Sequence, residues 1–221
     1  MSSSIPKLMH AVILTGHGGM DKLEYKNNID VPVPKEDEVL IRVKGAGVNN
    51  QSINTRIGWY SKSDDKNMND GSWSGNSLDF PIIQGADICG NIVAVGSQVN
   101  QSRIGERVIV RTIQTVPENQ KNFSAWTVGS ECNGGFAQYA AIRSSEAFVI
   151  NSNWTDAEIA SIPCAYSTAE GLLHRSQVGK EKVFITGASG GVGSATIQLA
   201  KLRNATVIAQ CSSEKKDKVK K

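Results

Sequence analysis

VFITGASGGVGSATIQLAKLRNATVIAQCSS, residues Val183–Ser213, reads as a strand, a glycine turn, a helix and a second strand. "VFIT" and "TVIAQ" are short apolar runs of strand length, rich in β-branched residues. Between them the chain has to leave one element and enter the next within a few residues. Glycine permits this because it takes positive φ at no steric cost and lets the backbone come close to a neighbour. Past the turn, Val192, Ala195, Leu199 and Leu202 recur at i, i+3, i+7 and i+10, the stripe of a helix lying on a sheet. Asn204 stands where that helix ends, and asparagine tolerates the left-handed conformation of a helix stop. The segment is therefore expected to form a βαβ unit.

Such a crossing has a chemical use. The N-terminus of the helix carries unpaired N–H groups and a partial positive charge. Ala188, Ser189, Gly190, Gly191, Val192 and Gly193 are thus the expected cradle of a dinucleotide's pyrophosphate. A tight strand-to-helix turn with no ligand is the alternative that the pattern alone leaves open. The end of the second strand refines the expectation. Sites for NADH commonly carry Asp or Glu about 20 residues past the first glycine, on the ribose hydroxyls. Here Gln210 and Cys211 stand at the strand end, with no acid before Glu214. Ser212, Ser213 and Lys216 suit a 2′-phosphate instead, which makes NADPH the expected cofactor.

Residues 1–150 read differently. "HAVILT", "DEVLIRVKGAG", "GNIVAVGSQV", "ERVIVRTI" and "GGFAQYAAI" are closely spaced strand patterns with glycine-rich turns, which favour a β-barrel or sandwich. In the second of these, Val39, Ile41 and Val43 alternate with Arg42 and Lys44, the period of a half-buried strand. "VPVP" before it suits an edge or a linker. Residues 61–79 and a stretch near 117–122 have no apolar periodicity and read as surface loops. From residue 151 helical spacing takes over, with helix-start signals at Ser152 or Thr155 and a break at Pro163. Two domains are expected, 1–150 and 151–221.

Composition narrows the classes. The chain has 221 residues, 39% hydrophobic and 20% charged, enough for real cores. A net charge of +3 is too mild to argue for nucleic acid, and the basic "EKKDKVKK" reads as the exposed face of a helix that begins there. No apolar run approaches the ~20 residues of a membrane span, and the N-terminus has no secretory-signal pattern. Cys89, Cys132, Cys164 and Cys211 form no CxxC pair, so neither a disulfide framework nor a zinc knuckle is expected. Neither nucleic acid nor membrane is an expected partner, and the cytoplasm is the expected location.

"FPIIQGADICGNIVAVGSQV", "RIGERVIV", "NGGFAQYAAI", "IPCAYSTAEGLL" and "VFITGASGGVGSATIQLAK" follow one another in an order and spacing that resemble the medium-chain dehydrogenase/reductase superfamily. The resemblance covers nearly the whole chain. It implies an α/β plus β architecture: a GroES-like β-barrel catalytic domain followed by the first βαβ half of a Rossmann domain. Short-chain dehydrogenases share the TGxxxGxG pattern but carry it near the start, with a YxxxK pair downstream that this sequence lacks. Zinc members of the superfamily place a Cys where Asn49 stands and a His–Glu pair where Ala86 and Asp87 stand. A carboxamide and a methyl group do not make a tetrahedral zinc site. The sequence is therefore similar to the zinc-independent branch, the quinone oxidoreductases and enoyl reductases, and no metal ligands are expected.

What the resemblance implies for function is hydride transfer from NADPH to a small-molecule conjugated carbonyl acceptor, a quinone or an enone. Asn49, Arg56 and Tyr60 match positions near the chemistry, and Thr168 matches one near the nicotinamide. Each also has a plainer reading: a turn-stabilising Asn, a solvated helix Arg, a packed Tyr, and a Thr bonded to its own helix. Ser52 and Asn54 depart from the Asp and Tyr often found in quinone reductases. Cys164, one turn before Thr168, reads as a packed thiol. Members of the superfamily are longer, so an incomplete member lacking the nicotinamide-side half is expected, and the resemblance allows a homo-oligomer when full length. A non-catalytic nucleotide-binding or interaction protein with a degenerate site is the competing reading.

Overall fold

The strand rich in Val, Leu and Ile near residue 40 organises the first half of the molecule. In the computed structural model, which describes residues 4–61, 71–72, 77–118 and 125–220, it spans Glu38–Gly47. The expected loops at 61–79 and 117–122 fall largely outside the described residues. The chain divides into two compact units, Met1–Pro163 and Cys164–Lys221.

The first unit contains β1 (Leu8–Leu14), β2 (Leu23–Asp30), β3 (Glu38–Gly47), α1 (Asn50–Arg56), β4 (Ile82–Ile83) and β5 (Asp87–Val95). It continues with β6 (Arg107–Val110), β7 (Ile113–Gln114), β8 (Trp126–Thr127), β9 (Tyr139–Arg143), β10 (Ala147–Val149) and α2 (Asp156–Ile159). One antiparallel sheet has the order β10-β6-β5-β3-β9, a second β2-β1-β4, and β7 pairs with β8. Residues 136–138 stitch the two larger sheets together. The Val12 amide donates to the Phe136 carbonyl at 2.8 Å, and the Gln138 amide to the His10 carbonyl at 3.1 Å. The result is a single curved wall around two apolar clusters.

β3 serves both clusters. Val39 and Ile41 pack with Ile88, Ile92, Val108 and Ile142, whereas Leu40 packs on the other side with Met9, Ile13 and Tyr139. The strand is therefore buried on both faces in its first half, not half-buried as its alternation suggests. Arg42 lies over the Tyr139 ring at 5.6 Å, a cation–π placement. β3 and β5 cross closely at Gly90, where a Cβ would overlap the Arg42 carbonyl oxygen and come within 2.8 Å of the Ile41 side chain.

Residues 151–163 belong to the barrel unit, so the compact units meet at Pro163–Cys164 and not near 151. The reason is Arg107. Its guanidinium donates to Asp156 Oδ1 at 2.8 Å, to the Ser152 carbonyl at 2.8 Å and to the Trp154 carbonyl at 2.7 Å. The ion pair with Asp156 raises the Arg107 pKa further. Ile159 and Ala160 then bury themselves against Cys89. Thr155 caps α2 in a reciprocal capping box with Glu158, as one of the two start signals suggests. The bonds from Thr155 hold the Glu158 carboxyl below its usual range.

The second unit carries α3 (Pro163–Arg175), whose first residue Pro163 closes the barrel unit, then β11 (Lys182–Ile185), α4 (Gly191–Leu202), β12 (Thr206–Ala209) and α5 (Lys216–Val219). β11 and β12 pair in parallel, Val183 opposite Val207. This is the expected βαβ order. Asn204 takes φ +62° at the end of α4, as its position suggests. The buried stripe of α4 differs from the expected one: Gly193, Ala195, Thr196 and Ala200 are buried, whereas Leu202 is 78% exposed. Small residues let the helix backbone approach the sheet closely, and the larger apolar residues turn to its flank.

All four cysteines are thiols. Burial, with Asp156 adding, pushes the Cys89 thiol up from 9.0 to about 11. Burial, with Glu131 adding, pushes Cys132 to about 12. An acid whose pKa is raised by folding contributes stability that is fully present below its unfolded value and lost as pH rises through the folded one. Stability is therefore expected to fall between about pH 9 and pH 11. In urea melts across that window, Cys89→Ala/Cys132→Ala is expected to decline less than the parent protein. Equal declines would reject the assignment.

Candidate functional site

In the second unit the loop between β11 and α4 is shaped by its own backbone. Gly187 takes φ +59°, which a side chain would strain. The Ala188 amide donates to the Gln210 carbonyl at 3.0 Å, and the Gly190 amide to the Gly187 carbonyl at 3.0 Å. Two amides of the predicted cradle are thus spent on holding the loop. The first bond to the helix start comes from the Ser194 amide, to the Gly190 carbonyl at 2.9 Å. Gly190 is the N-cap and supplies no side chain. Among the described residues no acceptor faces the amides of Gly191, Val192 and Gly193. Three orphan donors at the positive end of a helix of 12 residues suit an anion with several oxygens.

Gly193 has a second reason to be glycine. A Cβ there would overlap the Gly187 carbonyl oxygen and lie 2.7 Å from Ala188 Cα. Both are backbone atoms that cannot rotate aside. The residues present therefore fit a pyrophosphate group: free amides, no capping side chain, and a helix drawn tight onto its loop.

At the strand end, Ser212, Ser213 and Lys216 are all exposed. Ser212 precedes a short helical turn at Ser213–Lys215. A cavity of about 490 Å³ beside the loop is lined by Ala188, Ser189, Ser194 and Gln198, together with Lys215 and Lys218. The predicted Ser212, Ser213 and Lys216 do not line it. The basic run "EKKDKVKK" was the available signal for Lys215 and Lys218, but only the turn ahead of α5 decides which lysines face the loop. Thr168 Oγ1 donates to the Cys164 carbonyl at 2.7 Å within α3, which commits its proton to the helix and leaves its lone pairs.

In the first unit, α1 is tied down from several sides. Asn49 is its N-cap and accepts from the Gln51 amide at 3.2 Å through Oδ1, which directs Nδ2 away from the helix. Among the described residues no acceptor meets that Nδ2. Buried Gln84 donates to the Ser52 carbonyl at 3.0 Å. His17 Nδ1 bonds the Thr55 carbonyl at 2.8 Å. Arg56 and Gly18 exchange two bonds, the Arg56 Nη1 donating to the Gly18 carbonyl at 3.0 Å and the Gly18 amide to the Arg56 carbonyl at 2.8 Å. Tyr60 accepts from Asn54 Nδ2 at 3.3 Å, and Trp59 packs edge-on to its ring.

A cavity of about 620 Å³ opens beside α1, within the size range of small-molecule sites. Val12, Leu23, Val43, Ile53 and Phe136 give it apolar walls, and its polar groups are Lys44, Ser52, Arg56 and Gln84. Of the predicted residues only Arg56 lines it; Asn49 and Tyr60 do not. Gln84 and Ser52 were not expected at a site. A polar side chain set in the apolar run "FPIIQGA" was the available signal for Gln84.

Among the described residues no three His, Cys, Asp or Glu side chains cluster as metal ligands do, and no helix is long and apolar enough to cross a membrane. A barrel of this order, with a βαβ unit after it, defines a class, and comparison with known proteins agrees. The model of the alcohol dehydrogenase GroES-like domain matches residues 35–152. The chain belongs to that family, within the medium-chain dehydrogenase/reductase superfamily, and its second unit is the partial Rossmann portion.

Among individual relatives, the NADPH-dependent alkenal/one oxidoreductase of Arabidopsis thaliana is 32% identical over 97% of this chain and 50% of its own length. The quinone oxidoreductase of Homo sapiens is 30% identical over 96% of this chain and 56% of its own length. The solved structure of a candidate alcohol dehydrogenase from Sinorhizobium meliloti 1021 superposes with a TM-score of 0.85 at 41% identity, over 97% of this chain and 60% of that one. The chain spans about half the length of the curated relatives it matches.

Proposed function

We propose that the protein is a zinc-independent oxidoreductase that uses NADPH to reduce a conjugated carbonyl acceptor, a quinone or an enone. The observation that carries the reading is the set of orphan amides at Gly191, Val192 and Gly193, held open by a loop already satisfied through Ala188 and Gly190. The names of the relatives support it: one is an NADPH-dependent alkenal/one oxidoreductase, another a quinone oxidoreductase.

The amides would hold the pyrophosphate. Ser212, Ser213, Lys215, Lys216 and Lys218 supply hydroxyls and positive charge for a 2′-phosphate, with no carboxylate before Glu214 to repel it. Asn49, which follows the cavity-lining Val48 but does not itself line the cavity, would offer an Nδ2–H that no described acceptor takes to a carbonyl oxygen at the cavity's mouth as negative charge grows there, the work of an oxyanion donor. The apolar cavity beside α1 would take the acceptor body and exclude water from it. When bound, the nicotinamide supplies the hydride.

NADPH is expected to bind at least about tenfold tighter than NADH when the two are titrated side by side, since charge-assisted bonds to the 2′-phosphate exist only for the former. Equal or tighter NADH binding rejects the cofactor assignment. For the reaction, the measurement is oxidation of NADPH with neutral quinones and enones by the whole protein. Nucleotide binding without turnover of any acceptor would favour the competing reading, a non-catalytic nucleotide-binding protein.

A further inference from the structure

The cavity beside α1 is apolar apart from a few groups, and the charges among them have one sign. Lys44 and Arg56 both line it, and among the described residues no Asp or Glu does. Among the described residues neither is ion-paired. Arg56 is half-buried, and its Nη1 is fixed by the Gly18 carbonyl at 3.0 Å, so the guanidinium is held in place with most of its donors unspent. One turn earlier on the same helix, where a carboxylate would give an i,i+4 partner, stands buried Ser52. A half-buried guanidinium in apolar surroundings is costly without a counter-charge, and among the described residues this one has none.

We propose that the cavity selects ligands that join an apolar body to an anionic group, with a carboxylate as the matching chemistry, Arg56 as its bidentate partner and Lys44 as a second positive charge. This rests on the reading of the cavity as the acceptor site and narrows the acceptor class to carbonyl compounds that carry an acid. A volume of about 620 Å³ leaves room for an aryl or alkyl body as well as the acid. Guanidinium and carboxylate match in geometry through two parallel N–H···O bonds, which a neutral ester cannot reproduce.

The test uses the 221-residue chain and an unreactive saturated keto acid, 4-oxo-4-phenylbutanoate, beside its methyl ester. Binding is measured by ligand-observed NMR at low and high salt, with no nucleotide present. The acid is expected to bind about tenfold tighter than the ester, and salt to weaken the acid alone. Arg56→Gln is expected to remove most of that preference and Lys44→Gln part of it. Ser52→Asp, which gives Arg56 an internal partner, is expected to remove it too, provided circular dichroism shows a folded protein. Lys44 is exposed, so Lys44→Gln keeps the test decisive if the others fail to fold. An ester that binds as well as the acid, binding of neither, or a preference that survives both Gln substitutions overturns the proposal. Because no turnover is read, these outcomes are independent of hydride transfer, which the neutral acceptors test separately.

Discussion

Gly193→Val is expected to weaken NADPH binding by roughly a hundredfold or more, about 3 kcal/mol, and to lower the stability of the second unit by about 1–3 kcal/mol. Gly193 is buried at the third position of α4, where a Cβ would overlap the Gly187 carbonyl oxygen and sit 2.9 Å from the Gly187 carbonyl carbon. Neither atom can swing aside, so the helix has to withdraw from the loop and carry the amides of Gly191 and Val192 with it. Gly191→Ala is the control. Its added methyl would meet only the Ala165 Cβ, at an ordinary 3.6 Å, and is expected to leave the fold intact. Fluorescence titration and thermal melts read the two effects. A Gly193→Val protein that binds NADPH within threefold of the parent would mean that the loop is not the nucleotide cradle.

The second large effect is expected in the barrel, at Glu146. Its carboxylate is 2% exposed and lies between two guanidinium groups, with Arg111 Nε 3.4 Å from Oε2 and Arg143 Nη2 3.8 Å from Oε1. Oε1 also accepts from the Thr115 amide at 3.1 Å, whereas Oε2 has no aligned hydrogen bond, so its contact with Arg111 is coulombic. Removing a buried carboxylate from such a set leaves charge uncompensated, which costs about 3–5 kcal/mol when both partners are buried. Arg111 is about half exposed and stacks over Phe148, so water shares its charge and the expected loss for Glu146→Ala is about 2–4 kcal/mol. Glu146→Gln keeps an acceptor for Thr115 and should fall in between. Urea unfolding measures both, and a loss under about 1 kcal/mol for the alanine variant would show that the pair of arginines needs no counter-ion.

The βαβ unit could be read from residues because glycine, β-branched runs and a terminal asparagine each have a local cause. The site could be read only in outline. Which amides stay free depends on Gln210, a residue 22 positions beyond Ala188 in the sequence, whose carbonyl takes the Ala188 amide. The buried stripe on α4 shares Ala195 with the expected one but otherwise shifts to Gly193, Thr196 and Ala200, because helical spacing marks apolar residues while closeness to a sheet rewards small ones. β2, with its polar sequence LEYKNNID, carried no strand signal at all. It forms because β1 offers it a hydrogen-bonding edge, with Leu23 and Ile29 partly buried and most of its other side chains exposed, where burial makes little demand. Leu40 joined the core for a similarly non-local reason: the cluster that covers it is assembled from β1, β4 and β9. The motif points to Arg56, but its place beside Lys44 among apolar walls, with no ion pair among the described residues, belongs to the folded cavity.

The tie between Ala188 and Gln210 runs main chain to main chain, and the Gln210 amide returns a bond to the Ile185 carbonyl at 2.8 Å. Side chains at 210–213 take no part in it. If the loop holds the pyrophosphate as proposed, preference between the two nicotinamide dinucleotides could drift, or be transplanted by exchanging a few residues there, while the curve of the loop keeps its shape. Such independence of grip from selectivity would let one scaffold change its electron donor without first losing it.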